Sequence, residues 1–506
     1  MNQTWRYTFL AFVYLDVCCL LSLSHCYGQD AAPRHPNILF VLTDDQSSSS
    51  LSCYGGTLVK TKHIDQLAID GMRFTDAYVM PQCTPTRAAL LSGEHTARNG
   101  MWHVIPWYGT PFARVAEPPF REEMQPEQCK LPRLLRRHGY ATGMAGKWHL
   151  TTNPEQGYYT YLRSNAADQF GFDVVAPPGE GSQNEGDKWV DHLTDSACDF
   201  IKSHRDQPWF FYLAHHTLHG KVSAPDELIQ KYRDRDAPEV GLGNATYLAA
   251  IEHLDESIGR LLKTISATGQ RDRTIVIFLS DNGGVDTRYN HVNEDGSPFD
   301  GSTPLTIKLR EFESAPLREG KGSMYEGGIR VPCLVKWPGV IEPGSVCRVP
   351  IHVVDWLPTL LDAAGVQSNE KNDGVSLLPL FRGDGLDERA LFWFLPLYDL
   401  RWAATPCAVI RRGNWKLIEF FGDRFDESLS YREGAHLELY DLGRDIGETS
   451  NLADERSEVR DALRADLRSW IRSLGHAIPG ENPNYADSKA LLETRVKPTH
   501  VQPYQD

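Results

Sequence analysis

Two stretches constrain what this chain can fold into more than any others: PNILFVLTDD, residues 36–45, and RTIVIFLSDNGG, residues 273–284. Each is a continuous apolar, β-branched run that stops abruptly at tandem polar residues, Asp44 and Asp45 in the first, Asp281 and Asn282 in the second. Apolar residues on both faces of a short strand imply cover on both sides, the situation of strands in a parallel sheet. GYATGMAGKWHL passes through a weaker strand to Lys147 and His149, and WFFYLAHHTLHG ends in His215, His216 and His219. Amphipathic helices alternate with these runs. The clearest, residues 247–265, repeats Leu248, Ile251, Leu254, Ile258, Leu261 and Ile265 at helical spacing. The predicted fold class is therefore α/β, a sheet covered by helices on both faces. Ligands of such sheets sit beyond the carboxyl ends of the strands, where all of these polar residues lie.

Asp44, Asp45, Asp281 and Asn282 offer only side-chain oxygens, the donor set of a hard cation such as Ca²⁺ or Mg²⁺. An isolated Asp more often caps a loop, but two tandem pairs, each ending a buried strand, point to metal. The three histidines lack the spacing of a zinc cluster, so one functional histidine beside two structural ones is expected. Lys321 stands between two glycines ahead of the strand-like IRVPCLVKW, and those glycines would let backbone approach a ligand closely.

The net charge of −15, with no Lys/Arg block, argues against nucleic acid or an anionic membrane as partner. An anionic substrate would need locally concentrated cations. The length of 506 residues suggests two domains. The apolar run from Tyr7 to Leu23, followed by small and polar residues, reads as a signal peptide of residues 1–28. Its lipoprotein box is poor, so a secreted or periplasmic protein without a membrane anchor is expected. Its removal leaves Cys53, Cys83, Cys129, Cys198, Cys333, Cys347 and Cys407, an odd number with no zinc or CxxC spacing. Disulfides, if any, would be supplementary staples.

Cys83 lies in PQCTPTRAALLSG, residues 81–93, ahead of an apolar helix-like run. Alone it reads equally as a buried small hydrophobe or as a reactive thiol. Its neighbours, however, resemble the first signature of the type I sulfatases of the alkaline-phosphatase superfamily, through Cys83, Pro85, Arg87, Leu91 and Gly93. The second signature of that family is matched by Gly139, Tyr140, Thr142, Gly146, Lys147 and His149. Later stretches, DWLPTLLDAAG, DGVSLLPLFRG and WKLI through ELYDLGRDIGETSNLA, are similar to the same family. Thr86 stands in place of the usual serine, Thr151 where many relatives have glycine, and His219 is followed by Gly220 and Lys221 rather than by x-Pro.

The resemblance implies a large mixed, mainly parallel sheet between helices, then a small antiparallel sheet with a helix. It divides the chain into a catalytic domain at 33–384 and a smaller domain at 385–480, and residues 481–506, poor in apolar residues, are expected to form an extended tail. It implies that Cys83 is oxidised by a formylglycine-generating maturation enzyme, and that the hydrated aldehyde is the nucleophile, one hydroxyl remaining to expel sulfate. Ca²⁺ rather than Mg²⁺ would be held by Asp44, Asp45, Asp281, Asn282 and the modified Cys83. Arg87 would stabilise the ionised diol, Lys147 and Lys321 would clamp sulfate oxygens, His149 would act as base, and His219 would protonate the leaving alcohol. The expected substrate is a sulfated sugar or an aryl sulfate. Two alternatives stay open: a formylglycine-dependent phosphodiesterase or phosphonate hydrolase, and a non-catalytic binder of sulfated glycans with unmodified Cys83. Aromatic-rich loops at 101–115, 151–165 and 285–312 are candidate pocket walls. Substrate identity and oligomeric state are silent in the sequence.

Overall fold

The two acid-ended runs are adjacent strands at the centre of one sheet. A computed structural model describes residues 35–105, 109–110, 112–152, 157–158, 161–182, 185–289, 307–310, 312–425 and 431–486. The signal-peptide expectation lies outside them, as do residues 487–506 of the expected tail. Among the described residues no helix is long and apolar enough to cross a membrane.

Within the unit formed by residues 36–506, the elements that matter are these, in chain order. They are β1 (Asn37–Thr43), α1 (Lys62–Asp70), β2 (Met72–Tyr78), α2 (Cys83–Ser92), α3 (Lys130–Arg137), β3 (Ala141–Gly146), α4 (Val190–Ser203), β4 (Trp209–Ala214), α5 (Ala245–Ala267), β5 (Thr274–Ser280), β6 (Arg330–Lys336), β7 (Ser345–Cys347), α6 (Trp356–Ala363), β8 (Ala390–Leu395), β9 (Cys407–Arg412), β10 (Trp415–Phe420), β11 (His436–Asp441) and α7 (Ser457–Ser473). The large sheet has nine strands, in the order β7-β2-β6-β5-β1-β4-β3 and then Val174–Val175, with Ile351–His352 also pairing to β2. β1 runs parallel to both β4 and β5, and β3 parallel to β4. β6 is antiparallel to β2 and to β5. The sheet is thus mixed and mainly parallel, as expected. Every residue of β1, β4 and β5 is buried, because helices cover both faces.

The periodic helix is α5, whose Leu248, Ile251, Leu254, Ile258, Leu261 and Ile265 are all buried. Asn244 caps it by accepting the Tyr247 N–H at 3.0 Å. A second, four-stranded antiparallel sheet follows in the order β8-β9-β10-β11. Leu463, Leu467 and Ile471 are the buried residues of α7, and this sheet and helix share one continuous hydrophobic core with Phe40, Phe74 and Leu91 of the large-sheet region.

All seven cysteines from Cys53 to Cys407 are unpaired thiols. Cys333 and Cys347 both pair across to Phe74, from opposite sides of β2, so the intervening strand keeps them apart. The described start of the expected tail is tied down: the Ala116 and Asn482 amides bond to Gly480 O at 3.0 Å and Arg114 O at 2.8 Å.

Candidate active site

The parallel order carries the chemistry, because β1, β3, β4 and β5 all end at the same edge. The loops after β1 and β4 are laced together: the Asp44 amide donates to Thr217 O at 3.0 Å, and the Leu218 amide to Asp44 O at 2.5 Å. The Asp281 amide donates to Thr43 O at 3.0 Å. Asp45 takes a positive φ of 58°, and its amide donates to Asp281 Oδ1 at 3.3 Å. His149, just beyond β3, also lies in the left-handed region, with φ 56°. Non-glycine residues there cost about 1 kcal/mol or more and persist where surrounding bonds fix them.

Cys83 opens α2 and is buried. Its sulfur lies 3.4 Å from His149 Nδ1, while His149 Nε2 lies 3.0 Å from Ile105 O. The Ile105 oxygen can only accept, so Nε2 carries the proton and Nδ1 presents a lone pair to Cys83. Thr84 Oγ1 donates to His149 O at 2.9 Å and fixes the backbone beside the ring. Burial and then the Lys147 charge hold the His149 pKa well below its usual range, so the ring is neutral.

Three cations face three carboxylates here, all buried. Lys147 Nζ pairs with Asp44 Oδ2. Lys321 Nζ contacts Asp45 Oδ1 and Oδ2 at 2.7 and 2.8 Å. Arg87 donates to Asp281 Oδ2 through Nε at 3.1 Å and Nη2 at 2.7 Å, and to Lys147 O through Nη1 at 2.9 Å. Arg87 therefore acts on Cys83 through its charge, since its hydrogen bonds go to Asp281, Lys147 O and Tyr212. Burial raises the Asp44 pKa, but Lys147, His219, Arg87 and Lys321 together bring it well below normal. Burial and the Asp44 charge push Asp281 well above normal.

Asp44, Cys83 and Asp281 each direct a donor atom to within 4.8 Å of the others, and so do Asp44, Asp45 and His219. Asp44 Oδ1 and Asn282 Oδ1 are buried with no hydrogen-bond partner. Orphaned acceptors cost about 1–3 kcal/mol each, and two of them within an oxygen-rich cluster fit a hard divalent cation. His219, half-buried, donates from Nδ1 to Gly220 O at 2.9 Å. Burial, then Lys321 and Lys147, lower its pKa well below normal. His215 and His216 are buried, whereas His219 is half-buried beside Asp44 and Asp45.

The structure thus brings together Asp44, Asp45, Cys83, Arg87, Lys147, His149, His219, Asp281, Asn282 and Lys321. One expectation changes. The glycines beside Lys321 admit protein, not ligand: a Cβ at Gly320 would meet Gly284 O at 2.3 Å, and one at Gly322, φ 85°, would meet the Trp402 ring at 2.2 Å. Trp102, in one of the aromatic-rich loops, is 1% exposed and packs edge-on against Phe394 and His476, so it serves packing. Ile105 O and Tyr212 carry no motif signal, and only the fold brings them to the site; Gln82 and Thr84 adjoin Cys83 in the chain.

A protein-family model described as Sulfatase matches residues 36–366, and one described as N-sulphoglucosamine sulphohydrolase, C-terminal, matches residues 320–474. The chain is similar to human arylsulfatase A, 31% identical over 486 residues that cover 86% of this chain and 87% of that protein. It is 28% identical to human N-acetylgalactosamine-6-sulfatase, over 90% of this chain and 88% of that protein. Among solved structures, one described as i-CgsB in complex with k-i-k-neocarrahexaose superposes with a TM-score of 0.65 at 22% identity, covering 89% of this chain and 95% of that one.

Proposed function

The chain belongs to the sulfatase family, enzymes that hydrolyse sulfuric esters, and we propose that it cleaves a carbohydrate or aryl sulfate at the pocket around Cys83. The observation that carries this reading is the approach of His149 Nδ1 to the Cys83 sulfur at 3.4 Å beside Arg87, Lys147 and Lys321. Cys83 in this reading is oxidised to formylglycine, whose hydrate supplies the attacking hydroxyl. Ca²⁺ would be held by Asp44, Asp45, Asp281, Asn282 and the modified residue, and would supply Lewis acidity toward a sulfate oxygen.

The chain's own residues account for the remaining work. In the described site each of the three cations faces a carboxylate rather than an incoming anion. With a divalent cation held by Asp44, Asp45, Asp281 and Asn282, Lys147 and Lys321 would be available to an anionic ester. This local charge is what lets an acidic protein bind a sulfate. His149, neutral and with Nδ1 unprotonated, is placed to take a proton from an oxygen on residue 83. His219 lies on the Asp44–Asp45 side; protonated once an anionic ester offsets Lys321 and Lys147, the cations that lower its pKa, it would hand a proton to the departing alcohol.

Carbohydrate sulfate is favoured by the similarity to a protein named for N-acetylgalactosamine 6-sulfate. The apolar run at Tyr7–Leu23 supports export, and a division near residue 384 into catalytic and smaller parts accords with the start of the antiparallel sheet at Ala390. The test is mass spectrometry of the 81–93 peptide from protein made with a maturation enzyme, paired with assays on an aryl sulfate and an aryl phosphodiester. Formylglycine at position 83 and preferential sulfate release are expected. An unmodified thiol in active protein, or faster phosphodiester turnover, would overturn the reading.

A further inference from the structure

The residue before the nucleophile position is held by a carboxylate distant in sequence. Asp399, in the segment between β8 and β9, is fully buried. Its Oδ2 accepts from Gln82 Nε2 at 2.8 Å, lies 2.8 Å from His103 Nε2, and accepts from Arg401 Nη2 at 2.7 Å. Its Oδ1 accepts from Arg401 Nε at 2.9 Å and from the Arg401 amide at 3.1 Å. A buried carboxylate with this many donors cannot shift without leaving one unpaired, so the groups it holds are rigid.

Those groups border the site on both sides. Gln82 is extended, φ −145° and ψ 162°, and its side chain makes no capping bond to α2; it reaches Asp399 instead. Gln82 Oε1 accepts the Val104 amide at 3.4 Å, and the next residue along, Ile105, provides the carbonyl that fixes the His149 ring. The Gly322 amide, beside Lys321, donates to Pro81 O at 2.8 Å. The residue before Cys83 and, through Gln82 and His103, the loop that orients His149 are therefore referenced to one carboxylate 317 residues from Gln82 in sequence.

We propose that Asp399 is a positioning residue of the sulfatase reaction, acting through Gln82 to hold residue 83 in register with His149 Nδ1. The proposal rests on the function given above. Displacing a reacting atom by about 1 Å can cost about 100-fold in rate, and neither Asp399 nor Gln82 touches Lys147 or Lys321, so the effect falls on kcat rather than on KM.

The test uses the full-length matured protein and its Gln82→Met and Asp399→Asn variants, each measured for formylglycine content, thermal midpoint and aryl sulfate kinetics. Gln82→Met keeps the Arg401 and His103 pairs of Asp399, so the fold survives even where Asp399→Asn does not. The expected result for Gln82→Met is a kcat about 10- to 100-fold lower, with KM within about twofold and formylglycine at the wild-type level. Wild-type kcat in this variant, a matching rise in KM alone, or a loss of formylglycine that accounts for the lost rate would overturn the proposal. A wild-type protein that carries formylglycine and still fails on sulfate esters would instead reject the function itself.

Discussion

His149 presents Nδ1 to the Cys83 sulfur at 3.4 Å while its Nε2 faces Ile105 O at 3.0 Å. One backbone carbonyl thus selects the tautomer that leaves a lone pair toward residue 83. His149→Gln, which keeps polarity without a base of suitable pKa, is expected to lower kcat by about 10²- to 10⁴-fold with formylglycine content unchanged. Steady-state kinetics on an aryl sulfate, with peptide mass spectrometry, check it; a loss of less than about threefold would remove His149 from the chemistry.

The unpartnered Asp44 Oδ1 and Asn282 Oδ1 make the folded state the form that binds metal. Chelation is expected to abolish turnover, and added Ca²⁺ to restore it. Ca²⁺ at about 100 times its dissociation constant should also raise stability by about 2.7 kcal/mol, seen as a higher thermal midpoint. Asp44→Asn should lose most of that Ca²⁺-dependent rise; a rise of wild-type size would place the ion elsewhere.

Gly322→Ala should damage the site from outside it. The added Cβ would stand 2.2 Å from the Trp402 ring at a φ of 85°, and relieving the strain means moving Trp402 and the loop that carries Lys321 apart. We expect a destabilisation of about 1–3 kcal/mol and a raised KM, because Lys321 is the cation displaced. Denaturant titration and Michaelis kinetics read the two effects separately, and wild-type values in both would contradict the packing argument.

Acid should weaken the fold through His95. Burial lowers its pKa to about 4, against the opposing charges of Asp373 and Asp355, and its ring lies 4.8 Å from that of His352, itself held low by burial. The unfolded chain binds this proton near pH 6.5 and the folded chain only near pH 4. Stability is therefore unaffected above about pH 6.5 and falls as pH drops through that window, by a total on the order of 3 kcal/mol. His95→Gln should flatten this part of a plot of unfolding free energy against pH; an unchanged slope would show that His95 is protonated without cost.

Much of this was written locally in the chain. The runs at 36–45 and 273–284 became β1 and β5, residues 247–265 became most of α5, and IRVPCLVKW became β6, because strand and helix periodicity and abrupt polar ends are properties of neighbouring residues. Asp44, Asp45, Asp281, Asn282, Lys147 and His149 were legible as strand-end residues, and the motif around Cys83 is what singles it out as the proposed nucleophile. What the sequence could not determine is which distant group fixes each of them. That Lys147 faces Asp44, that the Lys321 glycines make room for Gly284 and Trp402, that Ile105 O sets the His149 proton, and that Asp399 holds Gln82 all depend on segments tens to hundreds of residues apart. No local pattern encodes such contacts; they exist only because the sheet's strand order and the second sheet's packing bring buried polar groups where each must find a partner.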